Sequence, residues 1–157
     1  MQQDLPALDD RDRAILDILQ VDGRITNADL AERVHLSPSA CLRRVKILEE
    51  SALVAGTALI LDQTAAGFPG TAYVFITLDA QQRAALEAFE TRVKVIPEVQ
   101  ECYLLAGQHD YLLRIVFGDM ADLERLHSEV LTRLPGVTRV QSTLTLRTVK
   151  RTTRIPV

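Results

Sequence analysis

The chain has 157 residues, enough for one ordinary domain or two small ones, with 25% charged residues, a formal net charge of −3 and no tryptophan. That balance excludes binding to nucleic acid through a global positive charge, so any such contact must be local. No run is long and apolar enough to cross a bilayer, and the opening Met1-Gln2-Gln3-Asp4-Leu5-Pro6 has no basic region followed by an apolar stretch. No membrane anchor and no secretory leader are therefore expected. Cys41 and Cys102 sit in apolar patterns and read as free, buried thiols of a reducing cytoplasm. The three histidines lie far apart in sequence, so neither a metal site nor a cofactor is expected.

In the first half, Ile15, Leu16, Ile18 and Leu19 form an apolar stripe flanked by Asp10, Arg11, Asp12, Arg13 and Asp17. This predicts a helix capped by Asp9 or Asp10 and ended by the turn pair Asp22-Gly23. Thr26-Asn27-Ala28-Asp29 resembles a capping box with Asp in place of Glu, opening a short helix with Leu30, Ala31 and Val34 apolar. His35 stands where a tight turn demands positive φ, which His tolerates better than most residues. A third helix starts abruptly, with Ser37 as N-cap and Pro38 at the first helical position. Leu42, Val45 and Leu48, with Cys41 beside them, are expected to face a core, leaving Ser39, Arg43 and Lys46 on the other side and Arg44 nearby.

Three helices, the second and third joined by so short a turn, make a helix-turn-helix. Ser37, Ser39, Ala40, Arg43, Arg44 and Lys46 are the candidate DNA contacts on double-stranded DNA. The competing reading is an ordinary surface helix with solvated cations. Residues 1–60 hold seven basic against ten acidic side chains, so one edge would bind while the rest repels. Leu53-Val54 and Thr57-Ala58-Leu59-Ile60-Leu61 read as extended, forming a short wing or a strand leaving the domain. The division expected is 1–56 as helix-turn-helix, 57–69 as linker strand and 70–157 as a second domain.

That second domain changes period. Strands are predicted at 71–78, 99–106, 111–117 and 137–149. Helices are predicted at 80–95 and, capped by Asp119, at 119–134 with Leu123, Leu126, Val130 and Leu134 on one side. The order β-α-β-β-α-β is the ferredoxin-like split, making an α+β chain overall. In the first strand Tyr73, Phe75 and Thr77 alternate with Val74, Ile76 and Leu78, so both faces carry apolar bulk. Two helices cover one face, and the cheapest cover for the other is the same sheet of a second copy, predicting a homodimer.

Leu8-Asp9-Asp10-Arg11-Asp12-Arg13-Ala14-Ile15-Leu16, Leu36-Ser37-Pro38, Cys41-Leu42-Arg43-Arg44-Val45, Pro97-Glu98-Val99, Gly107-Gln108-His109-Asp110-Tyr111 and Leu134-Pro135-Gly136-Val137 together resemble the Lrp/AsnC family. These are the leucine- and asparagine-responsive feast/famine regulators of bacteria and archaea, and the resemblance spans nearly the whole chain. It implies a DNA-binding first domain and a second domain that dimerises, assembles further to octamers and binds an amino-acid effector between dimers. The residues it carries over for the effector are Leu105, Ala106, Gly107, Gln108, His109, Asp110 and Met120, with Thr152 and Thr153 from a neighbouring subunit's tail. Gly107 suits a backbone that a ligand approaches closely, and Asp110 would meet an α-ammonium or brace the loop. Two departures stand out: His35 and Ala52 occupy positions where many relatives have Gly, and Ala52 in a left-handed C-cap would cost about 1 kcal/mol.

Other readings use fewer residues. An enzyme would need Cys102, His109 and Asp110 to meet as nucleophile, base and orienter. An RNA-binding sheet would need an aromatic signature that the strands lack. The stronger rival is an amino-acid-sensing oligomer with no DNA target of its own.

Overall fold

The structure, a computed structural model, describes residues 7–157; the stretch read as lacking a leader lies outside them. Among the described residues, those up to Leu59 form one compact unit together with Lys150–Val157, and Ile60–Val149 form the other. The tail expected in the second domain thus packs with the first.

The first unit has three helices, α1 (Asp10–Leu19), α2 (Asn27–Arg33) and α3 (Pro38–Glu50). Asp9 caps α1 in a reciprocal box with Asp12, and Thr26 caps α2 by accepting the Asp29 N–H at 3.2 Å. The α2–α3 turn closes on His35. Its N–H donates to Glu32 and the Leu36 N–H to Ala31, at 3.1 and 2.9 Å. This double bond pattern needs a left-handed residue between them, and His35 supplies φ 54°. Asn27 Nδ2 donates to the Pro38 carbonyl at 2.9 Å, fixing the start of α2 against the start of α3. Ile15, Leu16, Leu30, Ala31, Val34, Cys41 and Leu48 form the core, with Val45 and Val157 packed against it.

Arg44 ties α3 to α1. Its Nη1 meets Asp9 Oδ2 at 2.8 Å and Asp12 Oδ1 at 2.7 Å. The Asp12 N–H, and then the Arg44 guanidinium, hold the Asp9 carboxyl below its ordinary value. In turn Asp12, then Asp9, hold the Arg44 guanidinium above its own.

Several boundaries differ from expectation, among them the last strand, expected over 137–149, which ends at Leu144. Helix α3 ends at Ser51 in an extended conformation (φ −80°, ψ 157°), and Ala52 takes no left-handed φ. The Ser51 hydroxyl donates to the Leu48 carbonyl at 2.6 Å and accepts from the Leu53 N–H at 3.3 Å, replacing the glycine cap without strain. Residues 53–69 carry no strand among the described residues, although 57–69 was expected as a linker strand.

The second unit is a four-stranded antiparallel sheet of β1 (Gly70–Leu78), β2 (Val99–Leu104), β3 (Tyr111–Phe117) and β4 (Val137–Leu144), in the order β2-β3-β1-β4. With α4 (Arg83–Val93) and α5 (Met120–Arg125) this is the ferredoxin-like arrangement. Ala72, Val74, Ile76 and Leu78 interleave with Tyr111, Leu113, Ile115 and Phe117 against Phe89 and Val93 of α4 and Leu123, Leu126 and Leu131. Beyond Arg125 the helix continues through a wide π turn (Leu126–Val130) and a 3-10 turn (Leu131–Arg133). A regular helix would have buried Val130. The extra residue in the wide turn buries Leu131 instead and leaves Val130 half-exposed.

The far face of the sheet carries Tyr73, Phe75, Leu112 and Tyr103, around an Arg114–Glu101 ion pair of 2.7 Å. Tyr73 and Tyr103 remain 39% and 52% exposed, so this chain leaves the face partly uncovered.

Two predictions follow from packing and charge. A Cβ on Gly70 would overlap the ring of Phe117 across the β1–β3 pair, and that ring is itself packed in the core. Gly70→Ala should therefore destabilise by about 1–3 kcal/mol, read as a lowered melting temperature. Asp9→Asn keeps a capping side chain but loses the ion pair. Because folding lowers the Asp9 pKa, its stabilisation is complete above the ordinary aspartate range and is lost as pH falls through the lowered value. Melting temperatures of the parent and Asp9→Asn should differ at neutral pH and converge in strong acid.

Candidate functional site

In the first unit the site is the outer side of α3. Ser37 Oγ accepts the Ala40 N–H at 3.3 Å, and Pro38 fills the position whose N–H would lack a partner. Cys41, Val45 and Leu48, at i, i+4 and i+7, anchor the helix to the core. Leu42, expected among them, is 58% exposed, because one step along the helix turns it about 100° off that stripe. Ser39, Arg43 and Lys46 point away from the core and are exposed, whereas Ala40 is half-buried.

The cations differ in availability. Arg43 makes no ion pair among the described residues, and Lys46 has only a loose 3.8 Å contact with Glu50, both ends exposed. Arg44, counted in the sequence with the DNA contacts, is instead held by Asp9 and Asp12. The signal missed was local to the capping box: an acidic first turn on α1 gave Arg44 a partner within the protein. The face thus presents a short hydroxyl and two free cations, which suits hydrogen bonding to base edges and phosphates.

In the second unit the loop 105–110 joins β2 to β3. The Leu105 N–H donates to the Asp110 carbonyl at 2.8 Å, and the Asp110 N–H to Ile76 at 2.9 Å. Asp110 is 6% exposed. Its Oδ2 accepts the Leu78 N–H at 2.7 Å and its Oδ1 accepts from Gln81 Nε2 at 2.6 Å. Of the two roles open to Asp110 in the sequence, the geometry fills the bracing one. Gln81 was not anticipated, and no spacing rule would have found it, since the contact joins residues 29 apart.

His109 lies on the far face of the sheet, its ring centroid 4.9 Å from that of Phe75 and its Nδ1 3.5 Å from the Thr77 hydroxyl. Ala106, Gly107 and Gln108 are exposed, and a Cβ on Gly107 would meet nothing within 4 Å. The protein's own packing therefore does not require glycine there. Met120 opens α5 and is 61% exposed. It follows the opposite end of β3 from the loop, roughly 20 Å away for seven residues of strand. Thr152 and Thr153 belong to the tail grouped with the first unit. One chain does not gather all the predicted effector residues.

Cys102 is exposed, not buried as expected, because β2 is an edge strand. It pairs with Leu113 and so shares the helix-covered face, whereas His109 stacks on Phe75 of the other face. Nucleophile and base are thus on opposite sides of the sheet. Partial desolvation, then the Glu90 carboxylate, push the Cys102 thiol up to about 11. The apolar surroundings of Cys41 likewise raise its thiol. Among the described residues, no three His, Cys, Asp or Glu gather as a metal site, and no helix is long and apolar enough to cross a membrane.

Residues 71–155 match the model of the Lrp/AsnC ligand binding domain, and residues 8–51 match winged helix-turn-helix DNA-binding. The chain is 37% identical over 150 residues to transcriptional regulator AzlB of Bacillus subtilis, covering 96% of each. It is 39% identical over 148 residues to the leucine-responsive regulatory protein of Escherichia coli, covering 94% of this chain and 90% of that one. A transcriptional regulator of Neisseria meningitidis solved with L-Met superposes with a TM-score of 0.91 at 38% identity, covering 96% of this chain and 97% of that one. A feast or famine regulatory protein from M. tuberculosis complexed with L-methionine gives 0.83 at 33% identity, covering 95% and 99%. With both halves matched in order, and the capped helix of one and the braced loop of the other in place, the chain belongs to the Lrp/AsnC family of DNA-binding transcriptional regulators.

Proposed function

We propose that α3 reads operator DNA through Ser39, Ala40 and Arg43, that Arg43 and Lys46 meet phosphates, and that Ser37 holds the helix start in place. The observation that carries this is the outward, exposed set Ser39, Arg43 and Lys46, held among the described residues only by a 3.3 Å Ser37–Ser39 hydroxyl contact and a loose 3.8 Å Lys46–Glu50 pair, on a helix anchored by Cys41, Val45 and Leu48. Arg44 braces this helix from behind. A dimer would set two such helices in successive major grooves, roughly 34 Å apart.

The effector in this reading is an amino acid, consistent with the L-methionine held by two similar structures. The exposed residues 106–108 of the loop would offer backbone N–H groups to its carboxylate, with Asp110 holding the loop's shape. Met120 stands at the far end of β3, so a site using both draws on a second copy of the chain. The partly uncovered sheet face, with Tyr73, Phe75, Tyr103 and Leu112, supports a homodimer, and association of dimers to an octamer would juxtapose loops and α5 ends. The protein would act in the cytoplasm, without catalysis. A sensing module with no DNA target is the weaker reading, because the recognition face is fully built.

With two free cations per protomer, a dimer makes about 4 phosphate contacts. This gives a log–log salt slope near −3.6 and roughly a hundredfold affinity loss from 50 to 200 mM salt. Counting Arg44 would give about 6 contacts and a slope near −5, so titrating salt in a gel shift with the protein's own upstream DNA separates the two. Arg43→Ala should relax sequence preference by about 1–3 kcal/mol at one base pair, while Lys46→Ala weakens all DNA about equally. Screening that gel shift across the twenty amino acids identifies the effector. Asp110→Ala should then abolish the response and spare basal binding; unchanged effector affinity would refute its role. Sedimentation as a monomer at micromolar concentration would refute the dimer.

A further inference from the structure

Leu42 is the exception on helix α3. Cys41, Val45 and Leu48 pack in or against the core of the first unit, yet Leu42 is 58% exposed and takes no part in that core. Around the helix axis it lies about 40° from Lys46 and about 60° from Ser39, on the shoulder between the Val45 edge of the core stripe and the outward row. Residues three and four apart are surface neighbours on a helix, so Leu42 stands between Ser39, one turn before it, and Lys46, one turn after it. Leucine side chains in a helix also lean toward its N-terminus, which carries the isobutyl group toward Ser39. The outward side of α3 therefore has an apolar member beside its hydroxyl and its two cations.

Exposure alone would mean nothing, because single aliphatic side chains are ordinary on protein surfaces. The place of this one is what matters. A recognition helix presents its N-terminal residues to base edges in the major groove, and Leu42 falls in the first half of the 13 residues of α3. The groove offers amines, carbonyl oxygens and ring nitrogens, and one methyl group, on C5 of thymine. Phosphates offer an isobutyl group nothing. The thymine methyl is thus the partner in a duplex whose chemistry matches Leu42. Ala40, the other apolar residue of this turn, is half-buried. Ile47, 49% exposed, lines a cleft with Asp12 and Arg44 and so faces α1.

We propose that Leu42 is a base-reading residue whose side chain packs on the C5 methyl of one thymine in each half-site. Apolar contact then selects thymine at that position, while Arg43 and Lys46 supply the polar and charged contacts. This inference rests on the reading of α3 as the DNA-reading helix.

The test uses the full-length protein and a duplex it selects from a random pool. Uracil replaces thymine at one position at a time, which removes the methyl and leaves every hydrogen-bonding group in place. At one thymine per half-site the parent's affinity should fall about fourfold, the worth of one buried methyl. Leu42→Ala should bind the thymine duplex at least about fourfold more weakly and should no longer distinguish uracil from thymine there, to within about 1.5-fold. Its affinity for unrelated duplex should be unchanged, because the phosphate contacts remain. Alanine is a good helix former and Leu42 lies outside the core, so the variant should keep the parent's melting temperature. A parent that binds thymine and uracil duplexes alike at every position would overturn the proposal, as would a Leu42→Ala protein that keeps the parent's discrimination. A variant weakened on all duplexes alike, with smaller assemblies in sedimentation, would make Leu42 a contact between copies and overturn it too. If Arg43→Ala leaves both the affinity and the base preference for the selected duplex unchanged, the reading of α3 fails, and the role of Leu42 with it.

Discussion

Asp110 is the one buried charged side chain among the described residues, and no cation stands beside it. A carboxylate removed from water must recover its hydrogen bonds from the protein, or it costs several kcal/mol. Two donors are brought to it, the Leu78 N–H at the end of β1 and the Gln81 amide just ahead of α4. The same residue's backbone bonds to Ile76 and Leu105. One side chain therefore fixes the end of β1, the entry to α4 and both ends of the loop 105–109. The loop can then leave Ala106, Gly107 and Gln108 exposed without losing its shape. A ligand that binds a preorganised loop does not have to order it first.

Arg44 solves a related problem at the surface. Helix α1 opens with three acids in four residues, Asp9, Asp10 and Asp12, which favours the helix N-terminus but repels DNA. Placing Arg44 between Asp9 and Asp12 neutralises part of that charge and locks α3 onto α1 in one contact. A guanidinium suits this work, because its several donors can meet two carboxylates together. The cost in function is one cation removed from the outward face. What remains there, Arg43 and Lys46, is a modest electrostatic hold for a net acidic protein.

The fold was legible because both halves carry strong periodicity. The strand order, the Asp9 and Asp119 caps, the positive φ of His35 and the Pro135-Gly136 stop all follow from local chemistry that the residues display themselves. What local pattern did not show falls into two kinds: the contacts of Arg44 and Gln81 have partners distant in sequence, whereas Leu42 and Ala52 turn on immediate neighbours. Leu42 was assigned to the core by spacing alone, when Cys41 one position earlier aligns better with Val45 and Leu48. Arg44 looked like Arg43 until Asp9 and Asp12, more than thirty residues away, were folded against it. Gln81 carries no local mark of its contact with Asp110. Ala52 was judged against a glycine cap, whereas the Ser51 hydroxyl ends the helix by another route. The family resemblance singled out the loop 105–110, and the geometry shows Asp110 bracing it.

The segment 57–61 is the place where one chain's structure is least complete in itself. Leu59, Ile60 and Leu61 are 73%, 72% and 66% exposed and form no strand, although Thr57-Ala58-Leu59-Ile60-Leu61 has the composition of one. An extended segment rich in β-branched and aliphatic residues that finds no partner in its own chain keeps both its backbone groups and its apolar area in water. The half-covered sheet face, with Tyr73 and Tyr103, has the same incompleteness. Single exposed apolar residues are ordinary on a protein surface, whereas contiguous ones such as these are surfaces that the association proposed above would cover. Both lie on either side of the passage from the first unit to the second, at residues 57–61 and in β1 from Gly70. Assembly at these surfaces would bury the linker and the sheet together, so the number of recognition helices acting on DNA would follow from the same contacts that complete the fold.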